Sequence, residues 1–173
     1  MKFTAKYDPK NVNADGKPMY YDVYIKGNGV VNKIPVFEKD GEISVDNPTR
    51  MYEKDGKKYY AEVVKLVDKK AVAAKVAEII LTNGKGFHRR QEPKNGNIGI
   101  AYVECEYSLK LTVGRREDGS LWVNIPKYTD TNNAEHFYAW PYDEGVTLPE
   151  VVAEIIANVE NVAEPYKKET PVA

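Results

Sequence analysis

Eight residues between positions 69 and 90 carry the most readable chemistry in this chain: Lys69, Lys70, Lys75, Lys85, Phe87, His88, Arg89 and Arg90. Clustered cations neutralise phosphates, and an aromatic side chain among them offers a face on which a base can stack. The same lysines also suit the solvated face of a helix followed by a solubilising linker. An acidic set, Glu150, Glu154, Glu160 and Glu164, stands near the other end. That set fits a basic protein partner, such as a nucleic-acid-handling enzyme whose substrate an acidic surface would mimic. Catalytic constellations are missing. The two His and the single Cys have no metal-ligand spacing, and neither a Gly-rich phosphate loop nor a nucleophile elbow occurs. Glu104 and Glu106 share a strand face, as carboxylates on solvated strands commonly do. Cys105 reads as a small buried residue in an alternating strand. The expectation is a non-enzymatic protein with no metal and no cofactor.

Charge distribution narrows the partners. The chain of 173 residues has a formal net charge of −1, but Lys and Arg outnumber Asp and Glu by 16 to 12 through Phe87 and trail by 9 to 14 from His88 onward. Uniform polycation binding to nucleic acid is not what this distribution suggests, and at most one face is basic. One cysteine fits a reducing compartment. The first residues contain no apolar segment of the secretory kind, and no apolar run reaches the roughly 18 residues of a membrane span. The sequence reads as cytoplasmic, with no membrane partner.

The elements that must position these residues are written twice. Asp40-Gly41, Val45 and Pro48 recur as Asp118-Gly119, Val123 and Pro126, and Val76-Ala77-Glu78-Ile79-Ile80 recurs as Val152-Ala153-Glu154-Ile155-Ile156. Phe3 through Asp8-Pro9-Lys10-Asn11 returns as Phe87 through Glu92-Pro93-Lys94-Asn95. Three landmarks in one order mark an internal repeat. In the first copy, period-two alternation predicts strands at 3–7, 19–25, 30–37, 43–45 and 58–64. Turns at Gly27-Asn28-Gly29, Asp40-Gly41 and Asp55-Gly56 separate them. A helix follows, with Asp68 as N-cap, an apolar stripe of Val72, Val76, Ile79 and Ile80, and a stop at Asn83-Gly84.

The second copy predicts strands at 87–91, 100–107, 109–113, 121–123 and 136–140. Its helix opens on the capping box Thr147-Leu148-Pro149-Glu150 and carries the stripe Val152, Ile155, Ile156 and Val159. The aromatic run His136, Phe137, Tyr138, Trp140 and Tyr142 reads as core packing, with Phe137 inward. The expected fold is α+β: two similar units, each an antiparallel sheet of four or five strands followed by one C-terminal helix, forming an internal pseudo-dimer. Their bounds are 1–84 and 85–162, with a flexible tail at 163–173.

Gly41, Ile43, Val45, Pro48-Thr49-Arg50 and Asp55-Gly56, with Tyr59 and Tyr60 beyond, give the first copy a pattern that resembles the small bacterial SpoVG family. Gly119, Leu121, Val123, Pro126 and Pro141 carry the likeness in the second copy, which departs by having Tyr128 in place of the Arg and Asn133-Ala134 in place of Asp-Gly. The resemblance covers about residues 19–82 and 98–160. It implies a tandem fusion that is monomeric because the family's dimer contact is internal, and a regulator that binds DNA or RNA. It also adds Arg50 to the candidate surface, in a loop where its guanidinium would fork onto a phosphate or pair with a nearby acid. The leading expectation is nucleic-acid binding through phosphate contacts of the first copy and the linker. The alternative is an inhibitor or adaptor whose acidic second copy meets a basic partner.

Overall fold

The computed structural model describes residues 2–141 and 145–168. In chain order its elements are β1 (Phe3–Tyr7), β2 (Tyr20–Lys39), β3 (Glu42–Val45), β4 (Thr49–Lys54), β5 (Lys57–Glu62), β6 (Val64–Leu66), α1 (Lys69–Leu81), β7 (Phe87–Lys94), β8 (Asn97–Arg115), β9 (Leu121–Asn124), β10 (Lys127–Thr129), β11 (Glu135–Phe137), α2 (Leu148–Val162) and β12 (Ala163–Pro165). The local order strand, long strand, short strand and hairpin does recur. The architecture expected from that recurrence does not.

Strand accounts for 52% of the chain and helix for 17%, so the protein is mostly β rather than an α+β pair. Eight strands share one mixed sheet, while β4–β5 and β10–β11 form separate two-stranded sheets. There is no pair of independent antiparallel sheets, each closed by its own helix. Two long strands explain the difference. β2 runs through Gly27-Asn28-Gly29 instead of turning there, because neither glycine takes a positive φ. Gly27 is small for another reason: a Cβ would sit 2.7 Å from the Tyr107 hydroxyl and 2.9 Å from Pro141. β8 likewise passes through Ser108, where two strands were expected.

The chain gathers into two compact units, each assembled from separated segments: residues 1–25, 111–125 and 142–173 in one, and 26–110 with 126–141 in the other. In the first, β1 pairs antiparallel with β2 through Ala5 and Val23 and parallel with β12 through Ala5 and Ala163. The tail expected from residue 163 thus begins with a strand, and the Tyr166 amide still donates to the Tyr7 carbonyl at 2.8 Å; residues 169–173 lie outside the described ones. Helix α2 buries Val151, Ile155 and Val159 against β1 and β9: Ile155 and Val159 are the expected stripe, with Val151 in place of Val152 and Ile156 only half-buried. Each such side chain contributes about 1.5–3 kcal/mol by leaving water. The capping box forms: the Glu150 carboxylate accepts from the Thr147 amide at 2.7 Å and from its hydroxyl at 2.9 Å.

In this unit Arg115 is buried, yet it is fully engaged. Its guanidinium donates to the Pro18 carbonyl at 3.0 Å, the Gly119 carbonyl at 3.1 Å and the Tyr21 hydroxyl at 3.0 Å, and it ion-pairs with Glu160 of α2. That pair ties the last turn of the helix to the sheet. The ion pair also holds the Glu160 carboxyl below its ordinary range.

In the second unit α1 starts where expected: Asp68 accepts from the Ala71 amide at 3.0 Å, and Asn83, in the left-handed region at φ 51°, ends the helix. Val72 and Val76 are buried, and the helix packs on β3 and β7. The core beneath includes Val31, Ile34, Val36, Val64, Leu66, Ala101, Val103, Tyr107 and Leu109. Cys105 is buried as expected, and burial pushes its thiol pKa up. Of the aromatic run, Tyr138 rather than Phe137 is the buried member, and Tyr142 falls outside the described residues. Burial pushes the Tyr107 phenol up to about 12, and its hydroxyl has no hydrogen-bond partner among the described residues. Tyr107→Phe should therefore be neutral or stabilise by about 1 kcal/mol in urea unfolding, since it removes an unsatisfied buried donor without changing shape. A clear loss of stability would show that the hydroxyl has a partner in solution.

Candidate nucleic-acid interface

All nine cationic and aromatic candidates lie in the second unit, on three elements and the turn between two of them. Lys69 and Lys70 open α1, and Lys75 stands further along it. Not all of them are free. The Lys69 ammonium donates to Asp46 at 2.7 Å, which lowers the Asp46 pKa. Lys75 donates to the Glu104 carbonyl at 2.8 Å. Lys70, Lys85, Arg89 and Arg90 carry the free charge of α1 and β7 and the turn between them: each is exposed, and no carboxylate among the described residues pairs with them.

β7 presents that charge. It pairs antiparallel with β8 through Phe87–Ala101, His88–Ile100 and Arg89–Gly99, and all its residues except Phe87 are exposed. Phe87 is half-buried because it lies over Gly99, where a Cβ would come within 2.9 Å of its ring. The Arg89 guanidinium sits 5.4 Å from the Phe87 ring centroid, within cation–π range. His88, on the alternate face, meets Tyr102 edge-on at 5.1 Å. From there an aromatic cluster continues: burial, then the neighbouring Tyr102, pushes the Tyr128 phenol up to about 12. Tyr128 stacks on His136 at 5.3 Å and receives the Lys33 ammonium 4.8 Å from its centroid. His136 in turn bonds Asp130 at 2.7 Å.

Arg50 is not in a loop but on β4. Its strand pairs with β5 through a two-residue turn at Asp55-Gly56, where φ is 53° and 73°, as a tight hairpin requires. The register sets Arg50 opposite Ala61, Tyr52 opposite Tyr59 and Lys54 opposite Lys57 on one face. Every residue of the hairpin except Ala61 is exposed. Tyr52 and Tyr59 stack with centroids 5.5 Å apart and planes at 20°. Tyr52, Lys54, Lys57 and Tyr59 were not among the sequence candidates. The signal was available, because the Asp-Gly turn fixes the register and period two then assigns the faces.

The four acidic candidates are in the first unit. Glu150 is folded into its capping box and Glu160 onto Arg115. Glu164 is exposed on β12, opposite Lys6, and Glu154 is exposed on α2. Half of the proposed acidic surface is thus spent on holding α2 in place.

Among the described residues no group of three or more His, Cys, Asp or Glu could hold a metal ion, and no helix is long and apolar enough to cross a membrane. No family model, curated protein or solved structure matches the chain.

Proposed function

We propose that this protein is a non-enzymatic nucleic-acid-binding regulator that grips the phosphate backbone with the cationic surface of its second unit. The observation that carries this reading is β7 and the turn before it: Lys85, Arg89 and Arg90 stand exposed with no carboxylate partner among the described residues, and Arg89 lies over the Phe87 ring, which restrains its guanidinium. A guanidinium held by a ring loses less conformational freedom on meeting a phosphate than a free lysine does. The SpoVG-like pattern around Arg50 points to the same class of partner. The competing acidic-surface reading is weakened by the internal use of Glu150 and Glu160.

Arg and Lys read backbone charge rather than base edges, so the contacts expected of β7 are sequence-tolerant. Replacing Arg89 and Arg90 together by Ala should weaken binding to every sequence. It should also flatten the dependence of log affinity on log salt by about 0.7–0.9 per lost contact. Replacing Lys167 and Lys168, exposed in the other unit, should change little. The measurement is affinity for DNA and RNA oligonucleotides across a salt series. A wild-type protein that binds neither at low salt would end this reading.

A further inference from the structure

The β4–β5 ribbon bears on which form of the polymer binds, a question that depends on nucleic acid being the partner. Alternation divides the ribbon into two unlike faces. Arg50, Tyr52, Lys54, Lys57, Tyr59 and Ala61 share one face, with three cations and no acid. The other face holds Thr49, Met51, Glu53, Lys58, Tyr60 and Glu62, with one cation and two acids. The cationic face is ordered along its length: Arg50 at the base, the stacked tyrosines in the middle and two lysines at the tip. No carboxylate among the described residues pairs with Arg50, Lys54 or Lys57. Tyr52 and Tyr59 are 48% and 41% exposed, which is unusual for a packed aromatic pair and leaves ring surface open beside the charges.

We propose that this face is a stacking platform for unpaired bases, so that the protein prefers single-stranded over duplex nucleic acid. An exposed ring gains from a base only where the base's π-face is accessible, and in a duplex neighbouring bases cover it. Residues two apart along a strand are about 7 Å apart, so Arg50 and Lys54 on either side of Tyr52, and Lys57 beside Tyr59, reach the phosphates flanking a base stacked on an open ring face. The cross-strand pairing of Tyr52 with Tyr59 holds the platform in place before the ligand arrives, so little side-chain freedom is lost on binding. Stacking tolerates any base, and the cations flanking the ring pair carry no amide that would read an edge.

The test compares wild type, Tyr52→Leu/Tyr59→Leu and Tyr52→Phe/Tyr59→Phe for binding to a single-stranded oligonucleotide and to its duplex at one salt concentration. Exposed positions let both variants fold, and a thermal melt checks this. Wild type should favour the single strand. The Leu pair should lose roughly tenfold or more on the single strand, in line with the worth of base–aromatic stacking, and change less than about twofold on the duplex. The Phe pair should keep wild-type behaviour, because the rings remain. Equal binding to both forms, or a Leu pair that loses nothing on the single strand, overturns the platform while leaving phosphate binding by β7 standing. No binding to either form overturns both. Sedimentation closes the remaining alternative: a self-associated wild type that the Leu pair converts to monomer would show that the ribbon meets a second copy of the chain, and the proposal would fall.

Discussion

Arg115→Met is expected to lower the unfolding free energy by about 3 kcal/mol, the largest effect of any single side chain in the first unit. The side chain is 3% exposed, and its removal strips hydrogen bonds from Pro18, Gly119 and Tyr21 at once. Glu160→Gln should cost less, about 1 kcal/mol, because Glu160 is 47% exposed and water screens its charge. The order of the two variants is the sharp point: a Gln variant that is weaker than the Met variant would show the guanidinium to be secondary. The pair also sets an acid limb. Arg115 depresses the folded-state pKa of Glu160, so its stabilising contribution is complete above the ordinary glutamate value and is lost as pH falls through the lower folded value. Denaturation followed below pH 4.5, the ordinary value for glutamate, should show wild type losing stability faster than Glu160→Gln.

Gly99→Ala should be comparably damaging, at about 3 kcal/mol, for a steric rather than an electrostatic reason. The added Cβ would fall 2.2 Å from the His88 carbonyl oxygen, a backbone atom of the paired strand, and 2.9 Å from the Phe87 ring. A flexible side chain could swing away; a carbonyl in a ladder cannot move without breaking the pairing of β7. Gly29 is the control, since its nearest neighbour is the Trp140 carbonyl at 3.9 Å, and Gly29→Ala should stay within about 0.5 kcal/mol. Urea unfolding reads both. Gly99→Ala should also weaken oligonucleotide binding, because moving Phe87 removes the surface on which Arg89 rests. If it unfolds the protein no more easily than Gly29→Ala, β7 is not seated as described.

Local signals were legible in the sequence wherever the chemistry is local. Asp68 and the Thr147–Glu150 box mark both helix starts because capping is decided within four residues. The turns at Asp40-Gly41 and Asp55-Gly56 stand where they were expected, since positive φ favours few residue types. What the sequence hid is long-range. Gly27 and Gly29 look like a turn, but the first makes room for a tyrosine 80 positions away. The repeat was visible, and it invited a reading as two self-sufficient halves; only the length of β2 and β8 shows that segments distant along the chain complete each compact unit. Of the candidate site, charge was legible and neutralisation was not. Nothing near Lys69 in sequence announces Asp46, nor does anything near Lys75 announce the Glu104 carbonyl.

The parallel pairing of β1 with β12 has a consequence for how the protein is made. On a ribosome β1 emerges well before β12, which lies far downstream in the chain, so one flank of β1 stays unclaimed for roughly 10–30 s at ordinary elongation rates. The unit built from 26–110 and 126–141 has all its segments once residue 141 is out, whereas the other must wait for a segment that follows it, carrying α2 and β12. During that interval the nascent chain carries an open strand edge, the kind of surface that recruits other chains. Lys6, placed on β1 opposite Glu164 of β12, puts a charge on the vulnerable edge until its neighbour arrives.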